Sequence, residues 1–247
     1  MNSIKVLYED NHIVAVYKPS GVLTQGDRTG DRNLMDMVKD YLKEKYKKPG
    51  NVFLGLVHRL DKPVSGIVLF GKTSKGASRL SEQFRNHTIQ KTYHGIVIGK
   101  PKDARGSIKE KVNKISFFAE GFTNKTDEEL LAEIKKATKT RTAELSWEII
   151  KVGKPFDTAH GKSVYTLLKI MPKTGRFHQI RIQMQQMGCP ILGDAKYPST
   201  GSGQAAQEWK DRNSIALCAT AIVFKTATDN KQVKLEIPLP EGWERYV

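Results

Sequence analysis

The chain has 247 residues, 38% hydrophobic and 27% charged, enough to bury a sizeable core as one large domain or two small ones. Its 41 Lys and Arg against 26 Asp and Glu leave a net charge of +15, which favours a polyanionic partner, because neutralising phosphates releases counterions. No apolar run reaches membrane-spanning length, the opening MNSIKVLYED lacks the apolar stretch of a signal peptide, and the 2 cysteines and 6 scattered histidines suggest neither a disulfide framework nor a zinc site.

Two apolar runs, Ile4 to Tyr8 and Ile13 to Tyr17, flank Asp10-Asn11-His12 and predict a hairpin, closed by the turn residues Lys18-Pro19-Ser20-Gly21. From Asn33 to Tyr46, Leu34, Met37, Val38, Tyr41 and Leu42 recur at helical spacing, with lysines on the other face. The run from Leu56 to Thr73 reads as strand, turn, strand: His58-Arg59-Leu60-Asp61 stands at the exit of the first, Pro63 and Gly66 hold the turn, and Ile67 to Phe70 forms the second. A lone carboxylate at so stiff a junction is well placed for chemistry; the same residues also fit an ordinary surface pair of Arg59 with Asp61. Ser74 to His87 reads as a helix with Ser74 as cap and Ala77, Leu80 and Phe84 facing inward, and Ile89 to Ile98 as a strand.

Residues 99–139 read as an elaboration on the core fold, with Leu130, Leu131 and Ile134 giving an amphipathic helix within the Lys- and Glu-rich stretch Lys125 to Lys139. It is either an exposed flap, an RNA contact or a solvated helix without a specific role. Strand patterns resume at Thr140 to Val152 and Ser163 to Met171; Phe177 to Met187 carries Ile180, Met184 and Met187 on one helical face. Pro198 to Ala206 has loop composition, and Ile215 to Phe224 and Val233 to Ile237 supply closing strands. Strands with helices inserted between them, and no βαβ repeat, predict an α+β architecture.

Several blocks stand in a fixed order: Tyr8-Glu9-Asp10 with Ile13 to Pro19 and Ser20-Gly21; His58-Arg59-Leu60-Asp61; Lys91-Thr92-Tyr93; and Thr174-Gly175-Arg176-Phe177-His178-Gln179-Ile180-Arg181 running on to Gly188 through Asp194. In that order they resemble the RluA-type pseudouridine synthases, from about Tyr8 to Pro238. The resemblance implies a single catalytic domain over 1–247 with a mixed, largely antiparallel central sheet and an RNA-binding cleft. It leaves no room for the small S4-type RNA-binding domain that many relatives carry. It also implies an enzyme acting on structured rRNA or tRNA, expected to be a monomer, and the two cysteines, which lack metal-like spacing, favour a reduced cytoplasmic compartment.

Isomerising uridine to pseudouridine breaks the bond from ribose C1′ to uracil N1 and remakes it to C5, with no net redox change, so no cofactor or metal is expected. An ionised Asp can attack C1′ or remove a proton from C2′, and the sequence leaves both routes open. By resemblance Asp61 is the catalytic acid, Tyr93 stacks on the uracil, and Arg181 pairs with Asp61, keeping it ionised and oriented. The target base must be extruded, and the resemblance implies that Arg59, the signature arginine, helps fill the space it vacates. His58 is expected to shape its loop and His178 and Gln179 to support the Arg181 helix or contact phosphate, and Leu217, in a segment resembling the family's late apolar motif, is expected to line the pocket. Val64, Gln183, Cys189 and Cys218 depart from the common pattern, with Thr expected at the first position and His at the others. Two other readings compete: an inactive RNA-binding or RNA-folding protein on the same fold, and a glycoside hydrolase, which needs a second carboxylate that does not accompany Asp61.

Overall fold

A computed structural model describes residues 4–27, 30–112, 141–158, 161–198, 209 and 213–247. The expected hairpin is present as β1 (Val6–Glu9) and β2 (Ile13–Lys18), with the Asp10 carboxylate accepting from the His12 and Ile13 amides at 2.7 Å each. Beside β2 lies β4 (Ser65–Gly71), every residue of which is buried. Its two faces enter different cores. Val68 and Phe70 pack with Val14, Val16 and the helix residues Leu34, Val38 and Leu42, whereas Ile67 and Leu69 pack with Ile13, Ala15 and Leu80. One side is therefore covered by α1 (Leu34–Lys45) and the other by α2 (Ser74–Arg85), which is why this strand reads as a continuous apolar run rather than an alternation.

Asn33 opens α1 with a capping box to Asp36. The cap of α2 is Thr73, not Ser74: the Thr73 hydroxyl accepts from the Gly76 amide at 3.1 Å and lies 2.8 Å from His12 Nδ1, which ties the helix start to the hairpin. Ser74 is one position inside the helix.

The remaining elements are β3 (Gly55–Leu56), β5 (Gln90–Ile98), β6 (Arg105–Val112), β7 (Arg141–Thr158), β8 (Gly161–Pro172), α3 (Gln179–Gln186), β9 (Leu217–Lys225) and β10 (Gln232–Glu236). Among the described residues they form a 10-stranded sheet in the order β1-β2-β4-β9-β5-β8-β7-β6, with β10 on β9 and β3 on β4. Every pairing is antiparallel except that of β4 with β9, where Ser65 meets Cys218 and Gly66 meets Ala219. The sheet is thus mixed and largely antiparallel. At that junction Gly66 has φ 125°, and a Cβ there would lie 2.4 Å from the Ala219 carbonyl oxygen, so no other residue fits.

Three expectations change. The first strand of the signature shrinks to Gly55–Leu56, because side chains rather than a strand ladder satisfy the backbone beyond it. Arg105–Val112, read as part of an elaboration, is a strand paired along its whole length with β7. The helix expected from Phe177 begins at Gln179, because His178 takes a left-handed conformation with φ 49°. Residues 113–140, including the amphipathic helix expected at Lys125 to Lys139, and most of the loop expected at Pro198 to Ala206 lie outside the described residues. No helix among the described residues is long and apolar enough to cross a membrane.

Candidate active site

Asp61 sits in the segment that runs from β3 into β4, and backbone bonds to neighbouring elements hold that segment rigid. The Thr24 hydroxyl donates to the Leu60 carbonyl at 2.8 Å and accepts from its amide at 3.2 Å. Lys62 O accepts from the Gly21 amide at 2.9 Å, Pro63 O from the Ile215 amide at 3.1 Å, and Asp61 O from the Val64 amide at 3.0 Å. Beneath it, fully buried, Lys18 donates from Nζ to the carbonyls of Pro19, Val22 and Lys62 at 2.9, 2.7 and 3.1 Å. Burial pushes the Lys18 ammonium down to about 7, against the pull of the Asp61 charge. Three carbonyl acceptors match the three protons of an ammonium. Lys18 and Thr24 were not among the expected site residues; the only signal was the Lys-Pro-Ser-Gly turn.

Arg181 reaches Asp61 from α3. Its guanidinium gives Nε and Nη2 to Asp194 at 2.6 and 2.8 Å, and Nη1 to Asp61 Oδ2 at 3.3 Å. The side chains of Arg181 and Asp194 are 6% and 1% exposed, that of Asp61 28%. Burial works against the Arg181 charge, but the bonds to Asp194 and the charges of Asp194 and Asp61 outweigh it and raise its pKa. Asp194 arrives on the segment after α3, which Ile98 N to Pro190 O and Leu192 N to Ile96 O, each 2.9 Å, lay along β5. Asp194 belonged to a recognised block, yet its role could not be read without this juxtaposition. Arg59 does not pair with Asp61; it is exposed at the mouth of the pocket.

His178 Nε2 lies 3.6 Å from Asp61 Oδ2, too long for a hydrogen bond, while Nδ1 is 2.9 Å from the Tyr197 hydroxyl. Burial pushes its imidazole down to about 4, so it is neutral near pH 7 and Arg181 is the lasting cation beside Asp61. Gln179 holds the preceding turn: its Oε1 accepts from Thr174 Oγ1 at 2.7 Å and the Arg176 amide at 3.0 Å, and its Nε2 donates to Glu144 O at 3.1 Å. His58 turns away from the acid. Its Nε2 accepts from the Leu69 amide at 2.9 Å and its ring stacks on Phe84 with centroids 4.7 Å apart, and burial pushes its pKa down to about 3.

A cavity of about 110 Å³ brings Arg59, Asp61, Tyr93, His178, Gln179, Arg181 and Leu217 together, and His58 instead lines an adjoining groove of about 670 Å³. Among the described residues, Asp61 is the only acid lining either space. Tyr93 stands beside a bulge in the pairing of β5 with β9. Burial, then the Asp61 charge, raises the pKa of its phenol, so the ring carries a neutral hydroxyl. Lys91 bonds the Thr174 carbonyl at 3.1 Å, and burial with the Arg176 charge pushes it down to about 8. Of the departures from pattern, Val64 lines the pocket and Gln183 donates to Glu110 at 2.9 Å. Cys189 and Cys218 are buried thiols pushed up to about 11 by burial. An oriented carboxylate, an aromatic ring and apolar walls in so small a space suit attack at the sugar of a planar base that has left its stack.

The chain is similar to known proteins over most of its length. The family model described as RNA pseudouridylate synthase matches residues 12–186. The chain is 30% identical over 244 residues to the tRNA pseudouridine synthase C of Vibrio cholerae serotype O1, covering 98% of this chain and 93% of that one. It is 29% identical over 243 residues to the ribosomal large subunit pseudouridine synthase C of Buchnera aphidicola, covering 98% of this chain and 69% of that one. In fold it is similar to the human RNA pseudouridylate synthase domain containing 4, with a TM-score of 0.72 and 21% identity over 98% of this chain and 91% of the other. The matched span runs from the β1–β2 turn to the last residue of α3 and so takes in Asp61, Tyr93 and Arg181; the chain belongs to the RNA pseudouridylate synthase family.

Proposed function

We propose that this RNA pseudouridine synthase isomerises specific uridines in structured rRNA or tRNA, with Asp61 as the group that acts on the ribose. The observation that carries the reading is the 3.3 Å bond from Arg181 to Asp61 inside a pocket that Tyr93 also lines. The target uridine leaves its stack, Arg59 at the mouth helps fill the vacated space, and the uracil stacks on Tyr93. Asp61 then attacks C1′, with the glycosidic electron pair leaving on N1, or it removes the C2′ proton to give a glycal. The freed uracil rotates and C5 bonds to C1′ as the Asp61–C1′ ester breaks or, on the glycal route, as C2′ takes its proton back from Asp61; C5 then loses its proton and N1 gains one. Atoms and electrons balance without a cofactor. Arg181 holds the carboxylate in place, and the neutral His178 adds no competing ion pair.

Relatives named for tRNA and for large-subunit rRNA, together with the net charge of +15, support a folded RNA substrate. The test is a transcriptome-wide pseudouridine map from cells carrying the wild-type chain or Asp61→Ala. A defined set of sites is expected to vanish in the variant. Should every site persist where no second enzyme covers it, the catalytic assignment fails and an RNA-binding role without isomerisation takes its place.

A further inference from the structure

We propose that the groove of about 670 Å³ beside the pocket is a second nucleotide subsite, in which the unpaired base adjoining the target uridine stacks on Phe177. This deepens the functional reading above and rests on it. Groove and pocket are continuous: Arg59, Asp61, Lys91, Tyr93, Gly175 and Arg176 line both. A chain with one nucleotide in the pocket can therefore continue into the groove. Phe177 lines the groove and not the pocket, although it stands between two residues that line the pocket.

Phe177 lines the groove at 50% exposure. Phe177 stacks nearly parallel on His178, with ring centroids 3.8 Å apart and planes 17° apart, and His178 is fixed in turn by Tyr197 at 2.9 Å. The left-handed backbone at His178 sets this arrangement just before α3. Phe84, also lining the groove, is similarly stacked on His58, whose imidazole is bonded to β4. Both aromatic rings are thus backed by oriented histidines and held as rigid platforms. Around them the groove carries Arg59, Arg85, Lys91 and Arg176, with Asp61 as its single acid among the described residues. Fixed aromatic faces among cations are what a single-stranded nucleic acid requires: stacking for bases of any sequence and counter-charge for the backbone.

The test uses a ten-nucleotide single-stranded RNA, one central uridine among adenosines, with binding followed by fluorescence anisotropy. An abasic site is placed on the 5′ side of the uridine in one probe and on the 3′ side in another. Loss of the adjoining base on one side is expected to weaken binding to the wild-type chain at least about fivefold. Phe177→Ala should abolish that difference, and Phe177→Trp should keep it. The subsite is overturned if the wild-type chain binds intact and abasic probes alike on both sides, or if the penalty survives in Phe177→Ala. Binding is read without isomerisation, so the two readings fail separately. Loss of pseudouridine in Asp61→Ala without an abasic penalty removes the subsite alone. An abasic penalty with unaltered pseudouridine removes the catalytic reading alone.

Discussion

Asp194 takes both Nε and Nη2 of Arg181, at 2.6 and 2.8 Å, and leaves only Nη1 to reach Asp61 at 3.3 Å. The arginine is thus anchored by one carboxylate and presented to another. A bidentate fork fixes the plane of a guanidinium, which a single bond does not. Asp194→Asn should destabilise the fold by about 3 kcal/mol, because it strips a buried cation of its main partner. It should also lower kcat more than RNA affinity, since Asp194 lines neither the pocket nor the groove. Urea unfolding and single-turnover rates check both, and an unchanged rate would mean that Asp61 is placed without Arg181.

Acid should weaken the fold through His58. Its imidazole must be neutral to accept from the Leu69 amide, and it takes a proton in the folded chain only near pH 3. In the unfolded chain it does so near 6.5. Between those values the unfolded state binds more protons, so stability falls as pH falls from 6.5 towards 3. His58→Gln should flatten that slope by up to about 1.4 kcal/mol per pH unit. His178 acts in the same direction and remains in the variant, so the difference between the two unfolding curves is the quantity to read.

Gly66→Ala should be among the most damaging small substitutions. Its added methyl meets the Ala219 backbone at 2.4 Å, and the φ of 125° disfavours any side chain. Strain and overpacking together should cost about 3 kcal/mol or more, measured by chemical unfolding. Because the contact joins β4 to β9 immediately after the Asp61 segment, activity should fall even in the fraction that folds.

Tyr93→Phe separates ring from hydroxyl. Stacking survives the change, so RNA affinity should stay within about twofold, whereas Tyr93→Ala should weaken binding at least about fivefold. Any loss of single-turnover rate in Tyr93→Phe then measures the hydroxyl. Equal affinity in all three proteins would remove Tyr93 from base recognition.

Much of the fold was legible because short-range rules govern it. The periodicities of Leu34, Val38 and Leu42 and of Ile13 to Tyr17 returned as α1 and β2. Where local rules failed, a tertiary bond had replaced a local one. Thr73 rather than Ser74 caps α2, with His12 beside the same oxygen. The strand expected before Asp61 stops at Leu56, as His58 and Thr24 take over backbone bonds from a ladder. Arg105–Val112 pairs residue for residue with β7, although Ile108 and Val112 are its only bulky apolar residues.

By itself, then, the order of residues determined the class of protein, the strands and helices, and a short set of side chains worth placing together. Only the tertiary structure decided how they are held: Asp194 anchors the Arg181 that bonds Asp61, Lys18 underpins the loop, and Phe177 faces the adjoining groove. The physical reason is that local pattern specifies the direction of a side chain within its own element. Which charge meets which depends on contacts across 120 residues of chain between Asp61 and Arg181, and those exist only once the sheet has closed.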